Sequence, residues 1–171
     1  GDNLAARART GVVPFDLARN ALRRLTADER ELLGRALATA EPLRPLPKVG
    51  VLGNDHRYPL TVRWSDLDSY GHVNNVKYYD YLQEARISLV VSTLGWQPED
   101  VWMVVRQDLE YLKPIDFRSE PYEVGTAVVA LCSRSFTLAV EIRDPASRTV
   151  FATARTVVVG VSPLTDDQRL A

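Results

Sequence analysis

The sequence predicts an α+β fold in which an antiparallel five-stranded sheet wraps one long central helix, with an extra helical segment ahead of it. Three observations carry this expectation. The patterns run in the order of a short alternating stretch, a polar loop, a long stretch of helical period, and then four runs rich in Val, Thr and aromatics. The helical stretch is apolar around most of its circumference, so something must be laid around it. Pro42, Pro45 and Pro47 break the chain between the first 50 residues and the rest.

Taken in order, Pro14 to Arg24 and Thr26 to Ala40 both read as helix, which predicts a helical hairpin. In the second, Thr26 stands three residues before Glu29 in capping-box spacing, and Leu32, Leu33, Ala36 and Leu37 share a face. The prolines then predict an extended linker up to about Gly50, so that residues 1–50 form an extension and residues 51–171 the main domain. From Tyr58 to Trp64, Leu60, Val62 and Trp64 alternate with Thr61 and Arg63 as in a half-buried strand, and a polar loop follows through Asn75. Between Asn75 and Leu94 the positions Lys77, Asp80, Glu84 and Ser88 mark a narrow polar stripe. Tyr78, Leu82, Ala85 and Leu89 share the adjoining face, and Val76, Tyr79, Ile87 and Val90 extend the apolar arc. Four sequential antiparallel strands are expected at Val101 to Leu112, Tyr122 to Cys132, Ser135 to Arg143 and Thr149 to Gly160, with turn signals such as Lys113-Pro114 and Asp144-Pro145 between them.

Composition narrows the function classes. With 171 residues, 46% hydrophobic and 25% charged, the chain supports one real core. Its 21 basic and 22 acidic residues leave a formal charge of -1, which argues against nucleic acid or anionic lipid as a bulk partner. No apolar run approaches the ~18 residues of a membrane span, and Asn3 to Leu17 lacks the apolar segment of a secretory signal. Cys132 is the only cysteine, which excludes an internal disulfide framework and a cysteine-built zinc site and fits a cytoplasmic protein.

Chemistry concentrates in the loop from Arg63 to Tyr79, where Asp66, Asp68, His72, Asn74 and Asn75 crowd together just before the apolar helix. A calcium loop would explain Asp66, Asp68 and Gly71 but would need a glutamate where Lys77 stands. His56 and His72 are the only histidines and have no metal-ligand spacing, and no Gly-x-Ser-x-Gly elbow occurs, so neither a metal centre nor a serine hydrolase is expected. Carboxylate chemistry beside a helix start remains. There, unpaired N–H groups and the positive end of the helix dipole stabilise an oxyanion, as acyl transfer requires.

The runs Arg63-Trp64-Ser65-Asp66-Leu67-Asp68 and His72-Val73-Asn74-Asn75-Val76-Lys77-Tyr78 resemble the signature of hot-dog-fold thioesterases. Val104-Val105-Arg106 and Tyr111-Leu112-Lys113-Pro114 extend the resemblance to a later strand and its end, so that it covers residues 58 to about 163. The similarity is to the 4-hydroxybenzoyl-CoA type, to bacterial long-chain acyl-CoA thioesterases and to plant acyl-ACP thioesterases. It implies hydrolysis of an acyl-CoA, or of a carrier-protein thioester, to a carboxylate and free thiol without metal or cofactor. It also implies a homodimer or homotetramer with the site between subunits.

By this resemblance Asp68 is the catalytic carboxylate, as nucleophile or as base toward water, and the backbone N–H at Asn75 polarises the thioester carbonyl. His72 matches a histidine assigned to the active site in long-chain and plant members, and would orient water or protonate the departing thiolate. Gly71 belongs to the same loop through its backbone freedom. Tyr78, and Arg134 with Ser135 in the turn between two strands, are the substrate-binding candidates, because guanidinium meets CoA phosphates bidentately. Asp66 reads as a turn residue, Arg86 as a structural pair-former and Cys132 as a small apolar residue. Tyr70 stands where plant members carry a second amide, which favours a bacterial acyl-CoA enzyme. The alternative reading is a non-catalytic acyl-thioester-binding or interaction module on the same fold; a hydratase lacks its expected Asp and His arrangement.

Overall fold

The computed structural model describes residues 5–16, 18–19, 21–39, 55–95 and 101–161. The chain divides into two compact units, Gly1–Arg44 and Pro45–Ala171. The expected Pro42 to Gly50 linker lies outside the described residues.

In the first unit the helix expected from Pro14 to Arg24 is instead a small antiparallel hairpin, β1 (Phe15–Asp16) and β2 (Ala21–Leu22), with Phe15 opposite Leu22. The reason is the Asp16 side chain. Its Oδ1 accepts the Arg19 N–H at 3.0 Å and closes a turn that competes with helical bonding, while Arg23 N–H donates to Pro14 O at 3.0 Å. Helix α1 (Ala27–Gly34) begins where the capping box predicts. Glu29 N–H donates to Thr26 Oγ1 at 3.2 Å and Thr26 N–H to Glu29 Oε2 at 2.8 Å. It stops short of Ala40 because Gly34 weakens the last turn, after which Ala36 and Leu37 N–H groups bond back only three residues. The expected helical hairpin is therefore a β-hairpin followed by one short helix.

The second unit holds the predicted sheet and helix. β3 (His56–Leu60) is shorter than expected, because Trp64 enters a single 3-10 turn, Trp64–Asp66, whose ends are tied by Asp66 N–H to Arg63 O at 3.0 Å. Helix α2 (Lys77–Leu94) follows, then β4 (Val101–Tyr111), β5 (Tyr122–Leu131), β6 (Ser135–Arg143) and β7 (Val150–Val161). All pairs are antiparallel, in the spatial order β3-β5-β6-β7-β4. The last four strands are thus not a simple meander. β4 skips over its sequence neighbour to pair with β7 at the far edge, and α2 makes the connection that permits this.

One face of the sheet and α2 form the core, in which Tyr78, Leu82, Val124, Leu138, Val140 and Ile142 are buried. Strand alternation places Tyr58, Val124, Ile142, Ala152 and Tyr111 in one row on that face, and Leu109 and Gln107 further along β4. The helix packs on β3 and β5 rather than over the whole sheet. Its apolar arc is accordingly only half covered within one chain. Tyr78, Tyr81, Leu82 and Ala85 are buried, whereas Val76, Tyr79, Ile87, Val91 and Leu94 are exposed. Among the described residues no helix is long and apolar enough to cross a membrane.

Opposite the helix, the outer face carries an ion cluster. Arg143, 2% exposed, binds Asp55 and Glu123, the latter at 2.6 Å, and Gly125 lies beneath them.

Candidate active site

The loop between β3 and α2 is a small hairpin with its own ladder. Asp68 N–H donates to His72 O at 2.8 Å, Leu67 bridges Val73, and Asn74 N–H donates to Asp66 O at 2.9 Å. Gly71 closes the tip with φ of 81°, a conformation that costs any other residue strain, and its N–H donates to Asp68 O at 3.1 Å. This is the backbone role expected of it.

The two aspartates are used differently. Asp66 is 6% exposed, and its Oδ2 accepts from Arg63 N–H at 2.9 Å and from the Tyr81 hydroxyl at 2.8 Å. Burial, and then the bond to Asp66, push the Tyr81 hydroxyl pKa upward. Asp68 is half-buried. Its Oδ1 accepts Tyr70 N–H at 2.8 Å, and its other carboxylate oxygen has no hydrogen bond among the described residues.

Helix α2 starts without a side-chain cap from Val76. Asn74 serves instead, its Oδ1 accepting Val76 N–H at 3.0 Å and its carbonyl accepting Lys77 N–H at 2.8 Å. The Asn75 N–H between them makes no bond among the described residues. The Asn75 carbonyl, by contrast, is held by the Tyr111 hydroxyl at 3.1 Å. Asn75 stands three residues along the hairpin from the level of Asp68, about 10 Å of extended chain. The loop therefore offers an unclaimed carboxylate oxygen and an unclaimed amide on one small frame.

His72 is drawn to a partner that the sequence did not suggest: its Nε2 lies 3.6 Å from Asp116 Oδ1, and the two backbones form a bridge. Asp116 is held in turn through its carbonyl by the Tyr122 hydroxyl at 3.0 Å. Tyr78 is 2% exposed and belongs to the core, its ring edge-on to Tyr111 at 4.9 Å; burial pushes its pKa up to about 12. Arg134 and Ser135 are not brought to this loop within one chain. They sit in the turn where Arg134 O accepts Gly160 N–H at 3.0 Å, whereas Tyr111 pairs with Ala152, about 26 Å of β7 away. Arg86 finds no carboxylate among the described residues and is not the pair-former expected. Cys132 is exposed rather than packed. Tyr111, Asp116 and Tyr81 are the residues that sequence reasoning missed as members of the site. Only Tyr111 carried a signal, its place at the start of the Tyr-Leu-Lys-Pro run.

A five-stranded antiparallel sheet with a long helix across one face is the hot-dog fold, and with the family match below it makes the chain a thioester hydrolase. A family model for the thioesterase-like superfamily matches residues 62–166, and the chain belongs to that superfamily. Solved structures agree. The PA5185 protein of Pseudomonas aeruginosa is 28% identical with a TM-score of 0.59, over 67% of this chain and 86% of its own. A candidate acyl-CoA thioesterase from Xanthomonas campestris is 33% identical with a TM-score of 0.57, over 64% of this chain and 95% of its own. A Thermus thermophilus thioesterase complexed with coenzyme A and Zn is 27% identical with a TM-score of 0.53, over 67% and 88%. No curated protein matches the sequence.

Proposed function

We propose that this hydrolase acts on acyl-CoA, with Asp68 as its carboxylate and the Asn75 N–H as its oxyanion donor. The observation that carries the reading is that one loop holds both an Asp68 oxygen without a hydrogen bond and an Asn75 N–H that no acceptor claims among the described residues. The resemblance of the chain to a candidate acyl-CoA thioesterase and to a thioesterase complexed with coenzyme A supports CoA as the carrier. The setting is then the cytoplasm, where CoA thioesters such as those of fatty acid metabolism occur.

In this mechanism the thioester carbonyl accepts the Asn75 N–H, and a water oxygen bonds to the carbonyl carbon while Asp68 takes the water proton. Collapse of the tetrahedral oxyanion breaks the C–S bond, the electron pair leaves on sulfur, and the thiolate takes the proton. His72, steadied by Asp116, orients the water or serves the thiolate. Gly71 shapes the loop that carries Asp68, and Tyr78 supports Tyr111, which fixes the Asn75 peptide. Direct attack by Asp68 to form a mixed anhydride uses the same groups.

The assembly in this reading is a homo-oligomer. β4 is an edge strand with Val101, Met103 and Val105 exposed, and α2 exposes Tyr79, Ile87 and Val91, so a second copy would cover both. Arg134 and Ser135 would then contact CoA phosphates from the neighbouring copy, since their own site is at the far end of the sheet. Residues 1–50 form an extension outside the catalytic domain of residues 51–171. The test is release of free thiol from acyl-CoAs of increasing chain length: turnover of one or more is expected, and no thiol release from any of them would refute the reading.

A further inference from the structure

Helix α2 has two flanks. Ser88 and Ser92 face β3, where Ser88 Oγ lies 2.9 Å from His56 Nε2. On the opposite flank Tyr79 reaches β4: burial first, and then the adjacent Tyr79 hydroxyl, push the Tyr111 hydroxyl up to about 12. Arg86 follows Tyr79 by seven residues, which places it on this β4-facing flank two turns further on, about 10 Å along the axis. It is partly buried, and burial lowers its pKa with no opposing carboxylate. Arg106, Arg118 and Arg143 each hold an acid, Asp108, Asp144 and Asp55 respectively; Arg86 has no partner among the described residues.

The facing wall has a matching gap. Gln107 lies four residues from Tyr111 on the same inner face of β4, about 13 Å along the strand, and its Nε2 is buried without a hydrogen-bond partner. Leu109, between Gln107 and Tyr111 on that face, is only partly buried, because α2 packs on β3 and β5. Measured from the helix start, Arg86 and Gln107 thus stand at similar depth on facing flanks, both donors: Gln107 Nε2 is buried and unpaired, and Arg86 is partly buried with no acidic partner among the described residues. A plain hydrocarbon chain would leave the buried Gln107 Nε2 unpaired and would strip water from the Arg86 guanidinium without replacing it.

We propose that Arg86 and Gln107 bind a carboxylate at the far end of the acyl group, so that the preferred substrate is the monothioester of a medium-length dicarboxylic acid. The inference rests on the acyl-thioester reading above and adds the acid end. Asn75 takes the thioester carbonyl; Arg86 follows it by eleven residues, about 16 Å of helix rise, which the long Arg86 side chain shortens by reaching back toward the helix start.

The test compares octanedioyl-CoA with octanoyl-CoA on the full chain. The wild type should favour the octanedioyl thioester in kcat/KM on the order of 100-fold, as loss of charge-assisted hydrogen bonds predicts. Arg86→Leu should abolish that preference while sparing octanoyl-CoA, Gln107→Leu should reduce it about tenfold, and Arg86→Lys should retain part of it. Equal use of the two thioesters by the wild type overturns the proposal. So does an equal loss on both in Arg86→Leu, or a change in its assembly mass, which would assign the anion to a second copy. If neither thioester is hydrolysed, the enzymatic reading fails separately, and calorimetry with free octanedioate and octanoate decides this one. Tighter octanedioate binding that Arg86→Leu removes supports it; equal binding of the two acids overturns it.

Discussion

The Tyr81 hydroxyl donates to Asp66 Oδ2 at 2.8 Å, joining the second turn of α2 to the 3-10 turn that opens the catalytic loop. The same oxygen accepts the Arg63 N–H, so one buried carboxylate fixes both ends of the segment from which Asp68 projects. Tyr81→Phe leaves that carboxylate with one donor fewer. A loss of about 1–3 kcal/mol in stability is expected, with a several-fold fall in turnover, read by urea unfolding and by thiol release.

Tyr111 holds the Asn75 carbonyl and so orients the peptide that follows the hairpin. Tyr111→Phe keeps the ring contact with Tyr78 and removes this bond together with the hydroxyl's contact with Tyr79. Its kcat should fall about threefold to tenfold with KM for acyl-CoA nearly unchanged, because orientation rather than binding area is lost.

Gly125 is placed under the buried ion cluster, where an added Cβ would collide with Asp55 Oδ2 and stand 3.0 Å from Arg143 Cζ. Gly125→Ala should therefore cost about 1–3 kcal/mol by displacing the pair. Arg143→Leu should cost more, roughly 3–5 kcal/mol, since it leaves Asp55 and Glu123 only the longer contacts of Arg57 and Arg148. In a double-mutant cycle the two effects should fall short of additivity; full additivity would separate the glycine from the cluster.

Stability should decline at both ends of the pH scale. Burial raises the Tyr78 hydroxyl to about 12 from 10.0, so the native state keeps a proton that the unfolded chain loses. That contribution is whole below pH 10 and is lost as pH rises toward 12. At the acid end, the hydrogen bond from Arg118 lowers Asp144 to about 2 from 3.8, so stability present above pH 3.8 is lost as pH falls through 2. Unfolding midpoints measured across both ranges check this. Tyr78→Phe should make the alkaline limb shallower, with Tyr81 and Tyr111 carrying the rest, and Asp144→Asn should do the same to the acid one.

Much of this architecture was legible because α2 and the four later strands keep their periods over ten residues or so, and because capping chemistry at Thr26 is local. Two features were not. The run Phe15 to Leu22 has helical spacing, but the Asp16 carboxylate captures the Arg19 N–H, a side-chain competition that periodicity cannot register. The position of β4 beside β7 follows from which edge is left open once α2 has crossed, a global consequence that no local pattern encodes. In the candidate site, Asp68, Gly71 and Asn75 were legible as candidates because they are crowded in sequence and match the motif of the family that the chain resembles. The Asp116 partner of His72 comes from a loop beyond β4 and left no mark on the motif. Arg134 was placed by its chemistry alone, and the strand length between it and Asn75 separates the two within one chain.

The proposed hydrolysis depends on the Asp68 oxygen that has no hydrogen bond among the described residues. Thiol release by wild type and by Asp68→Asn, each with its unfolding midpoint, measures it most directly. A fall of about a thousandfold or more in kcat at an unchanged midpoint is the expected result. Comparable rates in the two proteins would remove Asp68 from the chemistry and contradict the account.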